Sequence, residues 1–93
     1  MSLYSAQKGK DPITGNLLIE SLEVHHILPK SQGGQDNYEN LILINENTHR
    51  LIHVVNSDMI EYYLKYRDYS KKVIDKINEY RMKMGNERIM SER

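Results

Sequence analysis

The sequence predicts an α+β domain: a two-stranded antiparallel hairpin, a short helix, and a C-terminal helical extension. Three observations carry that reading. Two short stretches containing β-branched residues, the extended Leu22 to Ile27 and the apolar Leu41 to Ile44, flank a segment holding Pro29, Gly33 and Gly34. A helix start follows the second stretch at once, with Asn45 as N-cap and Glu46 in the first turn. Apolar residues then recur at spacings of 3 and 4 as far as Met84. A chain of 93 residues buries about 65% of its unfolded surface on folding, enough for one core and not two.

Taken in order, residues 1–16 are polar, and Pro12-Ile13-Thr14-Gly15-Asn16 is a turn signal. Leu17 to Leu28 reads as extended, with Leu18, Glu20, Leu22, Val24, His26 and Leu28 on one face if the strand is continuous. Pro29 stops it, and residues 29–40 form a loop. Gly33-Gly34 permits positive φ there, and Asp36-Asn37 adds turn chemistry. Leu41 to Ile44 is the second strand, and residues 46–55 are one short helix. Asn56-Ser57-Asp58 caps a further helical stretch running to about Lys83, which Gly85 ends. The expected organisation is a single domain over residues 1–93. An N-terminal loop segment spans 1–21, the strand-strand-helix unit 22–56, the helical extension 57–85, and a frayed tail 86–93.

The chain has no Cys. That excludes a disulfide framework and a thiolate zinc knuckle, so any metal falls to imidazole, carboxylate or amide. No apolar run approaches the roughly 20 residues of a membrane helix, and no basic region precedes an apolar stretch at the N-terminus. The expectation is therefore a cytoplasmic chain without a membrane partner. The 13 basic and 13 acidic residues cancel, which at first argues against nucleic acid. Their distribution argues otherwise. Residues 23–53 carry two bases and four acids, whereas residues 65–93 carry nine bases and five acids. The tail is basic, and its lysines and arginines, Arg81 among them, can follow a duplex backbone or form a solvated face.

All four His fall between residues 25 and 53. His49 and His53 are four apart on an expected helix, so they share a face and can share a metal. Alone, the pair fits a solvated helix surface as well. His25 and His26 are strand neighbours and point to opposite faces. They suit a division of labour between one ligand and one acid-base group, or one core and one surface side chain.

Residues 22–53, LEVHHILPKSQGGQDNYENLILINENTHRLIH, resemble the HNH endonuclease motif of the ββα-metal fold. The His-His pair followed by Pro, the Gly-Gly turn, the Asn-Leu opening the second strand and the spaced His pair occur in order. The two His on the helix look like the nuclease colicins. The wider stretch, from Ile13-Thr14-Gly15 to THRLIH and its helical tail, looks like the C-terminal HNH domain of bacterial group II intron reverse transcriptases. Asp11 stands where relatives often have Cys.

The resemblance implies roles. His25, His49 and His53 are metal ligands, and His26 is the general base. Asn40, the central Asn of the motif, bridges the loop and fixes the strand that carries His26. Glu23 orients an Arg or a ligand His. Lys30 and Arg50 flank the site and can touch DNA phosphates. The implied reaction is hydrolysis of double-stranded DNA with one divalent ion, leaving 5′-phosphate and 3′-hydroxyl ends. Three protein ligands leave positions for a phosphate oxygen and water. Mg²⁺ or Mn²⁺ would support turnover, while Zn²⁺ or Ni²⁺ binds imidazole more tightly. Two competing readings are a DNA- or metal-binding module, weak in catalysis, of a larger intron-encoded or restriction protein, and a small helical protein with incidental His.

Overall fold

The computed structural model describes residues 1–19 and 21–90. Two antiparallel strands, β1 (Leu22–His26) and β2 (Leu41–Asn45), pair in a register running from Leu22 opposite Asn45 to His26 opposite Leu41. Among the described residues, four α-helices accompany them: α1 (Leu3–Ala6), α2 (Glu46–His53), α3 (Ser57–Tyr66) and α4 (Lys71–Lys83). The strand-strand-helix order predicted from the sequence is the order observed.

The expected strand over residues 17–28 is shorter in the structure. Only residues 22–26 pair with β2, and Lys10 bridges Leu17 instead. The apolar phase also differs. Leu18 is buried, but Leu22 and Val24 stay more than a third exposed. His25 and Glu23, on the other face, turn towards the interior. Glu20 lies outside the described residues.

The N-terminal segment carries more order than the loop expected there. Ser2 caps α1 by accepting from the Ser5 N–H. The Gln7 amide then works as a one-residue strand: its Nε2 donates to the Leu43 carbonyl and its Oε1 accepts from the Leu43 N–H, both at 2.8 Å. This satisfies the outer edge of β2. The turn that follows is built on Asp11, which is fully buried. Its Oδ1 accepts from the backbone N–H groups of Ile13 and Thr14, and its Oδ2 accepts from the Asn45 N–H and the Thr48 hydroxyl. Four donors on one carboxylate join the N-terminal turn, β2 and α2, as buried polar atoms require. Asn45 stands at the N-cap of α2 but makes no cap hydrogen bond; its amide donates to the Leu17 carbonyl.

The expected long helix after Asn56 is two helices. Asn56 caps α3 as predicted, accepting from Asp58 and Met59. Arg67 is extended, and Ser70 caps α4 by accepting from the Val73 N–H. The break lets Tyr69 enter the core, 3% exposed, with its hydroxyl against the Asn47 amide. The core joins Ile13, Ile44, Leu51, Ile52, Tyr69, Ile74, Ile77 and Ile89. Each such aliphatic side chain contributes roughly 1.5–3 kcal/mol by burial.

Two further expectations need correction. Arg81 is not a free surface base: it is 2% exposed. Its Nε donates to the Glu87 carbonyl, and its Nη1 donates to the Leu51 and Val54 carbonyls. The guanidinium therefore closes the C-terminal end of α2, where carbonyls lack intrahelical partners. The tail is also not frayed over residues 86–90. Asn86 donates to the Ile52 carbonyl, Asn78 exchanges two hydrogen bonds with the Ile89 backbone, and Ile89 is buried. Residues 91–93 lie outside the described residues. Among the described residues, no helix is long and apolar enough to cross a membrane.

Candidate metal centre

Because β1 and α2 pack together, His25 meets His49 and His53. The last two share one face of α2, with ring centroids 4.4 Å apart. His25 reaches them from the inner face of β1, at centroid distances of 5.3 and 5.4 Å. One ring nitrogen from each of the three lies within 4.8 Å of the others. All three rings line a groove of about 370 Å³, whose walls also include His26, Pro29, Lys30 and Met84.

Burial favours the neutral form of two of these imidazoles, His25 and His53. Burial, reinforced by His49, His53 and His26, lowers the His25 pKa to about 4. His53 is lowered too, by burial and then by His49. Tyr80 packs edge-on to His25 at 5.9 Å. The Nε2 of His25 is buried with no hydrogen-bond partner among the described residues, which an isolated core His would not tolerate cheaply. The Glu23 carboxylate accepts from Nδ1 of His49, leaving Nε2 as the lone-pair nitrogen. An orphaned buried nitrogen, a carboxylate-oriented ring and a third imidazole at matching distance fit a divalent ion that accepts nitrogen ligands.

His26, on the opposite face of β1, is about a quarter exposed, and its Nε2 lies 2.6 Å from Asp36 Oδ1. Asp36 also stands 3.2 Å from the Lys30 ammonium. The hydrogen bond from His26, aided by Lys30, holds the Asp36 carboxyl below the usual carboxylate range.

The loop between the strands is locked by Asn40. Its Oδ1 accepts from the Leu28 N–H, and its Nδ2 donates to the carbonyls of Leu28 and Gln35. Gly34 is required by close approach, since a Cβ there would fall 1.8 Å from the Leu28 carbonyl oxygen. The family model for HNH endonucleases matches residues 8–54, half of the chain. The chain belongs to the HNH endonuclease family. No curated protein and no solved structure matches it.

Within the HNH segment, the structure brings Glu23, His25, His49 and His53 together, with His26 and Lys30 on the same groove. Asn40 stands behind the loop. Arg50 does not face that groove. It pairs with Glu46 at 2.9 Å and lines a different cleft with Tyr62, Tyr63 and Tyr66. Asp36 is a residue the sequence reading placed in a turn without a site role. Its signal was a carboxylate just beyond the Gly-Gly turn, ten residues after His26.

Proposed function

We propose that this HNH domain is a metal-dependent DNA endonuclease in which His25, His49 and His53 hold one divalent ion and His26 is the general base. The observation that carries this reading is the convergence of three imidazole nitrogens within 4.8 Å, one of them buried and unpartnered, in a groove shared with His26.

A divalent ion bound there supplies positive charge against the scissile phosphate and the departing oxygen. The chain's own residues do the rest. His26 accepts a proton from the attacking water, a task suited to an imidazole near neutral pH. Glu23 orients His49. Asn40 holds the end of β1 and the following loop in one geometry, so His26 keeps its place on the groove wall. Lys30, 63% exposed at the groove, is placed to meet a phosphate of double-stranded DNA. Arg50 would contact the backbone farther out. The products are 5′-phosphate and 3′-hydroxyl ends, with Mg²⁺ or Mn²⁺ as the working ion and Zn²⁺ or Ni²⁺ as the tighter binders.

The acidic motif and basic tail support weak binding to DNA by the domain alone, in line with work beside other parts of a larger protein such as an intron-encoded one. The test is nicking of supercoiled plasmid with Mg²⁺, Mn²⁺, Ni²⁺ or Zn²⁺ and with EDTA. Nicking that depends on added metal and yields ligatable ends supports the reading. No nicking with any of the four ions overturns it.

A further inference from the structure

We propose that Asp36 is a positioning residue for His26: its carboxylate takes the Nε2–H of the imidazole, so that Nδ1 carries the lone pair turned to water. The inference deepens the reading of His26 as general base and rests on it.

The geometry is specific. Asp36 Oδ1 lies 2.6 Å from His26 Nε2. An ionised carboxylate only accepts, so the proton of this bond sits on Nε2 and the neutral ring has its lone pair on Nδ1. The other carboxylate oxygen is 3.2 Å from Lys30 Nζ, which braces the carboxylate from its far side. Two partners on two oxygens fix one rotamer of an otherwise exposed side chain.

The backbone is built to place this carboxylate. Gly33 turns the chain with φ +92, and Gly34 passes against Leu28 where no side chain fits. The Gly34 N–H donates to the Pro29 carbonyl at 2.9 Å. Asn40 then ties Leu28 and Gln35 with a single amide. Leu28 is two residues beyond His26, and Gln35 is the neighbour of Asp36. One Asn therefore sets the spacing between imidazole and carboxylate. Asp36 itself is 69% exposed, so its charge sits at the surface, where it meets His26 and Lys30.

In the step this arrangement supports, water gives a proton to Nδ1 while the Nε2 proton stays with the ring and Asp36. The water oxygen forms a bond to phosphorus. The bond from phosphorus to the 3′ oxygen breaks, and that oxygen leaves with the electron pair and takes a proton from solvent.

The test uses the full 93-residue chain and two readouts. Nitrogen-15 NMR of the metal-free protein at pH 8 reads the His26 tautomer. The wild type should show the Nε2–H form, and Asp36→Ala a mixture. Cleavage of a DNA duplex in Mn²⁺ reads the rate. Asp36→Ala and Asp36→Asn should lose about 10- to 100-fold in kcat, the range for residues that orient a functional His, with KM within about twofold. Asp36→Glu should recover part of the rate. In a His26→Ala background, Asp36→Ala should add no further loss. A wild-type tautomer in Asp36→Ala, an unchanged kcat, or an additive loss in the double variant overturns the inference. An active His26→Ala protein instead overturns the base assignment, and the NMR result then stands or falls separately as a statement about geometry.

Discussion

The Glu23 carboxylate on β1 accepts a hydrogen bond from Nδ1 of His49 on α2, linking strand to helix across 26 residues of sequence. A carboxylate in that position fixes both the rotation and the tautomer of a ligating imidazole. Glu23→Gln keeps the size of the side chain and removes its charge. It should weaken Zn²⁺ binding about 10- to 100-fold, measured by calorimetric titration, while the fold is retained. Unchanged affinity would show that His49 is oriented without Glu23.

Asp11 ties the N-terminal turn, β2 and α2 together by hydrogen bonds. Replacing it with Ala orphans the Thr48 hydroxyl and the backbone N–H groups of Ile13 and Asn45. Asp11→Ala should lower unfolding stability by about 3 kcal/mol or more, read from urea denaturation of the metal-free protein. A loss below about 1 kcal/mol would mean that water replaces the carboxylate in the interior.

Arg81 makes a matching prediction at the other end of α2. Arg81→Met preserves the aliphatic stem and removes the donors that reach Leu51, Val54 and Glu87. It should cost about 2–4 kcal/mol and leave the tail exposed, which limited proteolysis near Glu87 would detect.

The His cluster couples stability to pH. His25 takes its proton near pH 6.5 when unfolded but only near 4 when folded. Between those values the unfolded chain binds more protons, so acid favours unfolding. The metal-free protein should hold full stability above about pH 6.5 and lose it as pH falls towards 4, at up to about 1.4 kcal/mol per pH unit from this one group. Thermal unfolding across pH 4 to 8 checks the sign. Metal at 100 times its dissociation constant should add about 2.7 kcal/mol at neutral pH.

What the sequence revealed was local. His49 and His53 at i and i+4, the β-branched strands and the Asn56 cap are patterns of neighbouring residues, so backbone geometry alone displays them. What it hid was long-range. Arg81 looks like any helix base until its contacts with Leu51 and Val54 are seen, and Asp11 looks like a turn residue until Thr48 arrives. Asp36 reads as turn chemistry because its partner His26 lies across a loop folded by Gly34 and Asn40. The helix break at Arg67 was equally concealed, since Tyr69 continues the apolar spacing while its ring packs by Asn47.

In the proposed division of labour, His26 performs the proton transfer while His25, His49 and His53 hold the ion. The most direct measurement is plasmid nicking by His26→Ala beside the wild type, at metal concentrations where titration shows both equally loaded. The predicted result is a rate lower by about 100-fold or more with metal affinity unchanged. Nicking by His26→Ala at the wild-type rate would contradict it.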